Sequence, residues 1–185
     1  MEYTLEYLVA EWKMRRGLIP LRIDATIRRQ DAFEIDEYAR RVIDGWYDRL
    51  LATAPPEMLV VEDITDRVTI EQPAHGVAVM TLPDNCVRLV EVMMTAWERP
   101  AIITGPGSSI AKRQSSPLGR GGACNPVAVT EGCGRVRLYS FRNGSQAVPG
   151  RVLGVLRPPE GIYRCARASL ESLWTYTPDG GSNSF

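Results

Sequence analysis

Leu82-Pro83-Asp84-Asn85-Cys86-Val87-Arg88-Leu89-Val90-Glu91-Val92-Met93-Met94 joins a turn to a strand. Pro83 presets φ for a turn, and Asp84 and Asn85 favour one because their side chains hydrogen-bond the local backbone. Beyond them Val90, Val92, Met94 and Ala96 recur at every second position and so share one face of an extended chain. The same period appears on either side. Val68 and Ile70 alternate with Arg67, Thr69 and Glu71, and Val136 and Leu138 alternate with Arg135, Arg137 and Tyr139. Turn residues separate these runs at Pro73 to Gly76, Pro83 to Asn85, Glu98 to Pro100, Gly132 to Gly134 and Asn143-Gly144. Short strands with frequent turns over 58–157 predict an antiparallel β-sandwich or small barrel.

The flanks read as helices. In the region 1–54, Leu5, Leu8, Val9 and Trp12 fall on one stripe. Glu2 and Glu6 lie near its start and Lys13, Arg15 and Arg16 near its end, as the helix dipole favours, and Gly17 supplies a stop. A second helix opens with Asp31 three residues before Glu34, a capping arrangement, and carries Ile35, Tyr38, Ala39, Val42, Ile43, Trp46 and Leu50 at helical spacing. Pro55-Pro56 ends it. Pro20 to Gln30, with Arg22, Arg28 and Arg29 beside Ile23 and Ile27, fits a loop or a short helix. A C-terminal helix is predicted over 162–176, with Tyr163, Ala166, Leu170, Leu173 and Trp174 able to share a face, and 177–185 reads as a flexible tail. The predicted class is α+β, with N-terminal amphipathic helices and a C-terminal helix packed with the β body.

Inside the β region, 104–126 breaks the pattern. It is rich in Gly, Ser and Pro, its only large apolar residues are Ile110 and Leu118, and it carries Lys112, Arg113 and Arg120. A loop of about twenty residues without secondary structure is uncommon in a compact domain, and is usually functional or disordered. It is expected to protrude and to order on assembly. Its cations suit a neighbouring acidic subunit or a DNA phosphate backbone, and they equally suit plain solubility.

Composition narrows the function. The 185 residues include 22 basic and 22 acidic side chains, which cancel, so no global field recruits nucleic acid or an anionic membrane. No basic start with an apolar core marks a secretion signal, and no apolar run approaches the roughly 18 residues that span a bilayer. Cys86, Cys124, Cys133 and Cys165 stand far apart, without paired metal or redox spacing, and read as free thiols. His75, the single histidine, sits in a turn-like segment away from any base motif. Glu62, Asp63 and Asp66 lack the spacing of a calcium loop. The glycine runs at Gly105 to Ser109 and Gly119 to Gly122 match neither phosphate-binding pattern. Asn143-Gly144-Ser145 fits a glycosylation acceptor in form, though a hairpin turn accounts for it better. Neither catalytic residues nor a cofactor or metal is expected.

The order of elements, with Gly45-Trp46-Tyr47 in the second helix, then Leu82 to Leu89, then Val136-Arg137-Leu138-Tyr139 and a closing helix, resembles the head-to-tail adaptor proteins of short-tailed phages, of the tail tubular protein A type. The resemblance covers about half of the chain, and 104–126 has no identified counterpart in it. It implies a virion protein, assembled in the host cytoplasm, that forms a homo-oligomeric ring of about twelve subunits between the portal protein and the tail proteins. Helices would pack side by side, β domains would face the tail, and binding would proceed by surface complementarity without catalysis. Leu5, Leu8, Trp12, Trp46 and Trp174 are the subunit-interface candidates in that reading. Lys112, Arg113 and Arg120 are the loop contacts to a neighbour or to DNA in the channel. A rival reading is a small β-rich module binding carbohydrate or peptide through Trp97, Tyr139 and the loop. A third is an enzyme holding a metal at the acidic cluster.

Overall fold

The computed structural model describes residues 1–18, 31–142 and 145–178, with the side chains of 31–34 and 72–74 outside that description. The Asp31 and Glu34 cap, the segment Pro20 to Gln30, the Asn143-Gly144 turn and all of the tail beyond 178 lie outside the described residues. In chain order the elements are β1 (Glu2–Thr4), α1 (Leu5–Arg15), α2 (Asp31–Thr53), β2 (Val61–Asp63), β3 (Thr69–Ala74), β4 (Val77–Thr81), β5 (Cys86–Met94), β6 (Ile102–Thr104), α3 (Ser109–Gln114), β7 (Val127–Gly132), β8 (Arg135–Tyr139), β9 (Pro149–Leu156), β10 (Ile162–Arg164) and α4 (Leu170–Thr175). The fold is α+β. The chain divides into two compact units, one of 1–60 together with 158–185 and one of 61–157.

In the first unit, Thr4 caps α1 by accepting a hydrogen bond from the Tyr7 amide at 3.3 Å. The helix stops in a Schellman motif: Gly17 takes φ +67°, its amide reaches Met14 O at 3.1 Å, and Leu18 N reaches Lys13 O at 2.9 Å. Glu2 precedes this helix and belongs to β1, which pairs antiparallel with β10 in the register Glu2↔Arg164, Tyr3↔Tyr163, Thr4↔Ile162. The predicted helix over 162–176 is therefore corrected. Its first part is a strand because β1 supplies a partner edge, and only Leu170–Thr175 is α-helical, after a 3-10 turn at Arg167–Ser169. Along α2 the buried Ala39, Val42, Ile43, Trp46, Tyr47, Leu50 and Leu51 form one stripe. Trp12 packs with Ala39 and Val42, and the half-buried Val9, Trp174 and Tyr176 close around them.

The second unit holds two sheets, ordered β2-β9-β5 and β3-β4-β8-β7-β6. They share one core. Leu89, Val92, Met94, Val152 and Leu156 come to it from the first sheet, and Ala78, Met80, Ala128, Val136 and Leu138 from the second, with Trp97 and Phe141 filling the end. This is a sandwich arrangement, and the sheets do not close into a barrel. Two details differ from the sequence reading. A register shift between Leu89 and Glu91 changes the phase of β5, so that Leu89 points inward together with Val92 and Met94 while Val90 is half-buried and Ala96 lies exposed beyond the strand. The sheet is also not wholly antiparallel, because β6 runs parallel to β7.

Candidate interaction surface on the β6 to β7 crossover

Two parallel neighbours cannot be joined by a tight hairpin and need a crossover of a dozen or more residues. Residues 105–126 are that crossover, which is why the sequence reads there as a long loop. They are not structureless. Thr104 Oγ1 bonds Ser108 Oγ at 2.8 Å, Ser108 Oγ accepts from the Ala111 amide at 3.0 Å, and α3 follows. Ala111 then packs with Val127, Val129 and Tyr139 on the outer face of the sheet. With Ala128 in the sandwich core, β7 is covered on both faces, and this accounts for its unbroken apolar run. Ser108 ahead of Ile110-Ala111 is the one local signal for this helix in the sequence.

Arg120 braces the crossover. Its Nε donates to Gln114 O at 3.1 Å, its Nη1 to His75 O at 2.5 Å, and its guanidinium sits 5.6 Å from the centre of the Tyr139 ring. The acceptor at His75 belongs to a two-residue hairpin turn, His75 at φ 52° and Gly76 at φ 78°, which matches a type I′ connection between β3 and β4. A Cβ on Gly76 would stand 2.9 Å from Phe141 O and 3.3 Å from Arg120 Nη1. Farther along, a Cβ on Gly119 would stand 2.6 Å from Arg113 O, and one on Gly121 would stand 2.4 Å from Asn125 O. Gly76, Gly119 and Gly121 are therefore close-approach residues, whereas Gly105, Gly107 and Gly122 face open space. Its far end is tied by Glu98 N to Ala123 O at 3.1 Å and Ile102 N to Pro126 O at 2.9 Å.

The loop contacts expected from sequence therefore divide. Arg120 is half-buried and engaged within the crossover, so it is a brace and not a free contact. Lys112 and Arg113 are exposed. Beside them, on the 3-10 turn Pro117–Gly119, Leu118 is 99% exposed. Burying such a side chain against a partner would gain about 1.5 to 3 kcal/mol. A braced backbone holds it in place, which lowers the entropy lost on contact.

The expected interface residues sit differently. Leu8, Trp12 and Trp46 are buried in the first unit's own core, because the stripes that carry them face one another and not a neighbouring subunit. Trp46 Nε1 donates to Ser172 Oγ at 2.9 Å. Leu5 and Trp174 are half-buried, and the Arg15 guanidinium lies 4.6 Å from the Trp174 ring centre. Trp97, 4% exposed, packs on Phe141 at 5.4 Å, and Tyr139 lies in the cluster with Ala111, so neither opens to a ligand.

The acidic cluster serves the fold. Asp63 Oδ1 accepts from Thr65 N at 2.9 Å and Thr65 Oγ1 at 2.6 Å, which holds its carboxyl below the usual range. The same Thr65 hydroxyl accepts from Val152 N at 2.8 Å, tying the 3-10 turn after β2 to β9. Glu62 meets Arg67 at 3.9 Å. Among the described residues no three His, Cys, Asp or Glu side chains are grouped to hold a metal ion, and no helix is long and apolar enough to cross a membrane. The four cysteines are free thiols. No family model and no curated protein matches this chain.

Proposed function

We propose that this chain is a structural subunit of a virion, a head-to-tail adaptor that joins portal to tail as one member of a ring. The reading is supported above all by Leu118, an apolar knob held in solvent by a braced crossover with the exposed Lys112 and Arg113 at its side. Such a feature works by complementarity: the leucine enters an apolar socket on an adjoining subunit while Lys112 and Arg113 meet carboxylates at its rim. The Leu82 to Leu89 turn and strand and the Trp46 helix, the stretches that resemble adaptor proteins, lie in the β unit and the helical unit respectively.

The test is assembly with a portal protein of a short-tailed phage, followed by light scattering and negative-stain imaging. Rings should form, and Leu118→Ser or Lys112→Glu with Arg113→Glu should reduce ring yield at least tenfold while the melting temperature stays unchanged. A chain that stays monomeric beside portal at all concentrations overturns the reading.

A further inference from the structure

After α4 the chain closes over the seam between α1 and α2. The helix itself is pinned by the fully buried Leu173 and by Ser172, whose hydroxyl accepts from Trp46 Nε1 at 2.9 Å and donates to Ser169 O at 2.6 Å. Past that point the backbone leaves the helix, with Tyr176 extended at φ −68° and ψ 132°. Two half-buried rings reach across the seam. Trp174 meets α1, where the Arg15 guanidinium stands 4.6 Å from its ring centre, and Tyr176 meets α2 at Gly45, where a Cβ would stand 3.2 Å from its hydroxyl oxygen. Beneath the two rings lie Trp12, Ala39 and Val42, with Val9 at the margin. Glycine is the poorest helix former short of proline, and its place in the middle of α2 is accounted for by the notch it leaves for the phenol.

This closure carries a cost at both of its tryptophans. Trp12 Nε1 and Trp174 Nε1 are buried with no hydrogen-bond partner among the described residues, and Trp12 as a whole is only 5% exposed. A donor taken from water without an acceptor is destabilising, and water satisfies it again as soon as the rings lift. We infer that Trp174–Tyr176 is a strap that opens locally over the α1 and α2 seam, latched by the Tyr176 phenol in the Gly45 notch, while the rest of the helical unit stays folded. Opening gives both indoles to solvent and uncovers Val9, Trp12, Ala39 and Val42 as an apolar face that the closed chain does not present. Trp46 lacks this freedom, because its indole is bonded to Ser172 on the pinned side of α4. The strap is separate from the Leu118 knob and does not rest on the ring reading.

Hydrogen exchange of the indole N–H groups, followed by NMR on the isotope-labelled full chain, measures the opening directly. Trp12 should exchange about tenfold or more faster than Trp46, at a rate that low urea leaves unchanged, since a local opening exposes little surface. Trp97 is the control. Its Nε1 also lacks a partner, but it lies inside the β sandwich under no strap and should exchange slowly. Tyr176→Ala should speed the Trp12 exchange by about a further tenfold. Gly45→Ala should speed it too, by pushing the phenol out, while raising the urea midpoint through better helix propensity. A residue that merely packs would move both readouts in the same sense. Equal exchange at Trp12 and Trp46, a Trp97 as fast as Trp12, a Trp12 rate that climbs with low urea, or a Trp12 rate indifferent to either substitution overturns the inference.

Discussion

Tyr163 in β10 donates its hydroxyl to the Asp44 carboxylate in α2 at 2.5 Å, across 119 residues of chain. One turn along α2 the Tyr47 hydroxyl accepts from Arg164 N at 3.0 Å and meets Arg164 O at 3.2 Å. The two tyrosine rings stand edge to face at 5.0 Å. The β1 and β10 pair is thereby fastened to the longest helix of the unit.

Tyr163→Phe should lower stability by about 1.5 kcal/mol, the low end for a hydrogen bond to a charged group because the Asp44 carboxylate is exposed. Urea unfolding measures it. Asp44→Asn, which retains an acceptor, should cost less than Tyr163→Phe, and a larger loss for Asp44→Asn would contradict the geometry.

Alkaline pH should loosen the same region. Burial pushes the Cys165 thiol up from 9.0 to about 11, and burial together with Asp44 raises the Tyr163 hydroxyl well above its ordinary 10.0. Both groups are held in their protonated form by folding. Their contribution is complete below pH 9 and is lost as pH climbs through the raised folded values, with a loss from Cys165 on the order of 2 kcal/mol between about pH 9 and 11. Cys165→Ala should flatten that part of the stability profile.

Arg120→Ala should free the crossover without unfolding the sandwich. Trypsin should cut after Lys112 and Arg113 several times faster, while the melting temperature changes little. Gly119→Ala should act alike, since its Cβ meets the Arg113 carbonyl, a backbone atom that cannot rotate away. Equal cleavage rates in variant and parent would show that the brace does not hold the segment.

The β5 and β8 faces should behave as core. Leu138→Ala removes a fully buried side chain and should cost about 2 to 5 kcal/mol, and Val92→Ala somewhat less. Val87→Ser, at a position 40% exposed, should fall within about 0.5 kcal/mol of the parent. Denaturant midpoints separate the two outcomes.

Where sequence and structure agree, the signal is local. Val136 and Leu138 face inward because their period of two is the period of the strand, and Gly17 ends α1 because it alone accepts φ +67° without strain. Where they part, a distant segment intervenes. Leu8, Trp12 and Trp46 are interface candidates only under the adaptor resemblance, and the structure buries all three within the first unit.

Periodicity and turn residues in the chain itself determined helix α2, the alternation of β8 and the turn that opens β5, since these follow from hydrogen bonds and burial within a few residues. Tertiary structure alone decided that β1 meets β10, that β6 runs parallel to β7, and that 105–126 is a braced crossover. Those pairings join residues far apart in sequence, and their stability comes from edges and faces that exist only once the rest of each unit has packed. The run from Leu82 to Met94 contains both kinds of information: its turn is legible locally, while the bulge that brings Leu89 inward depends on the register with β9.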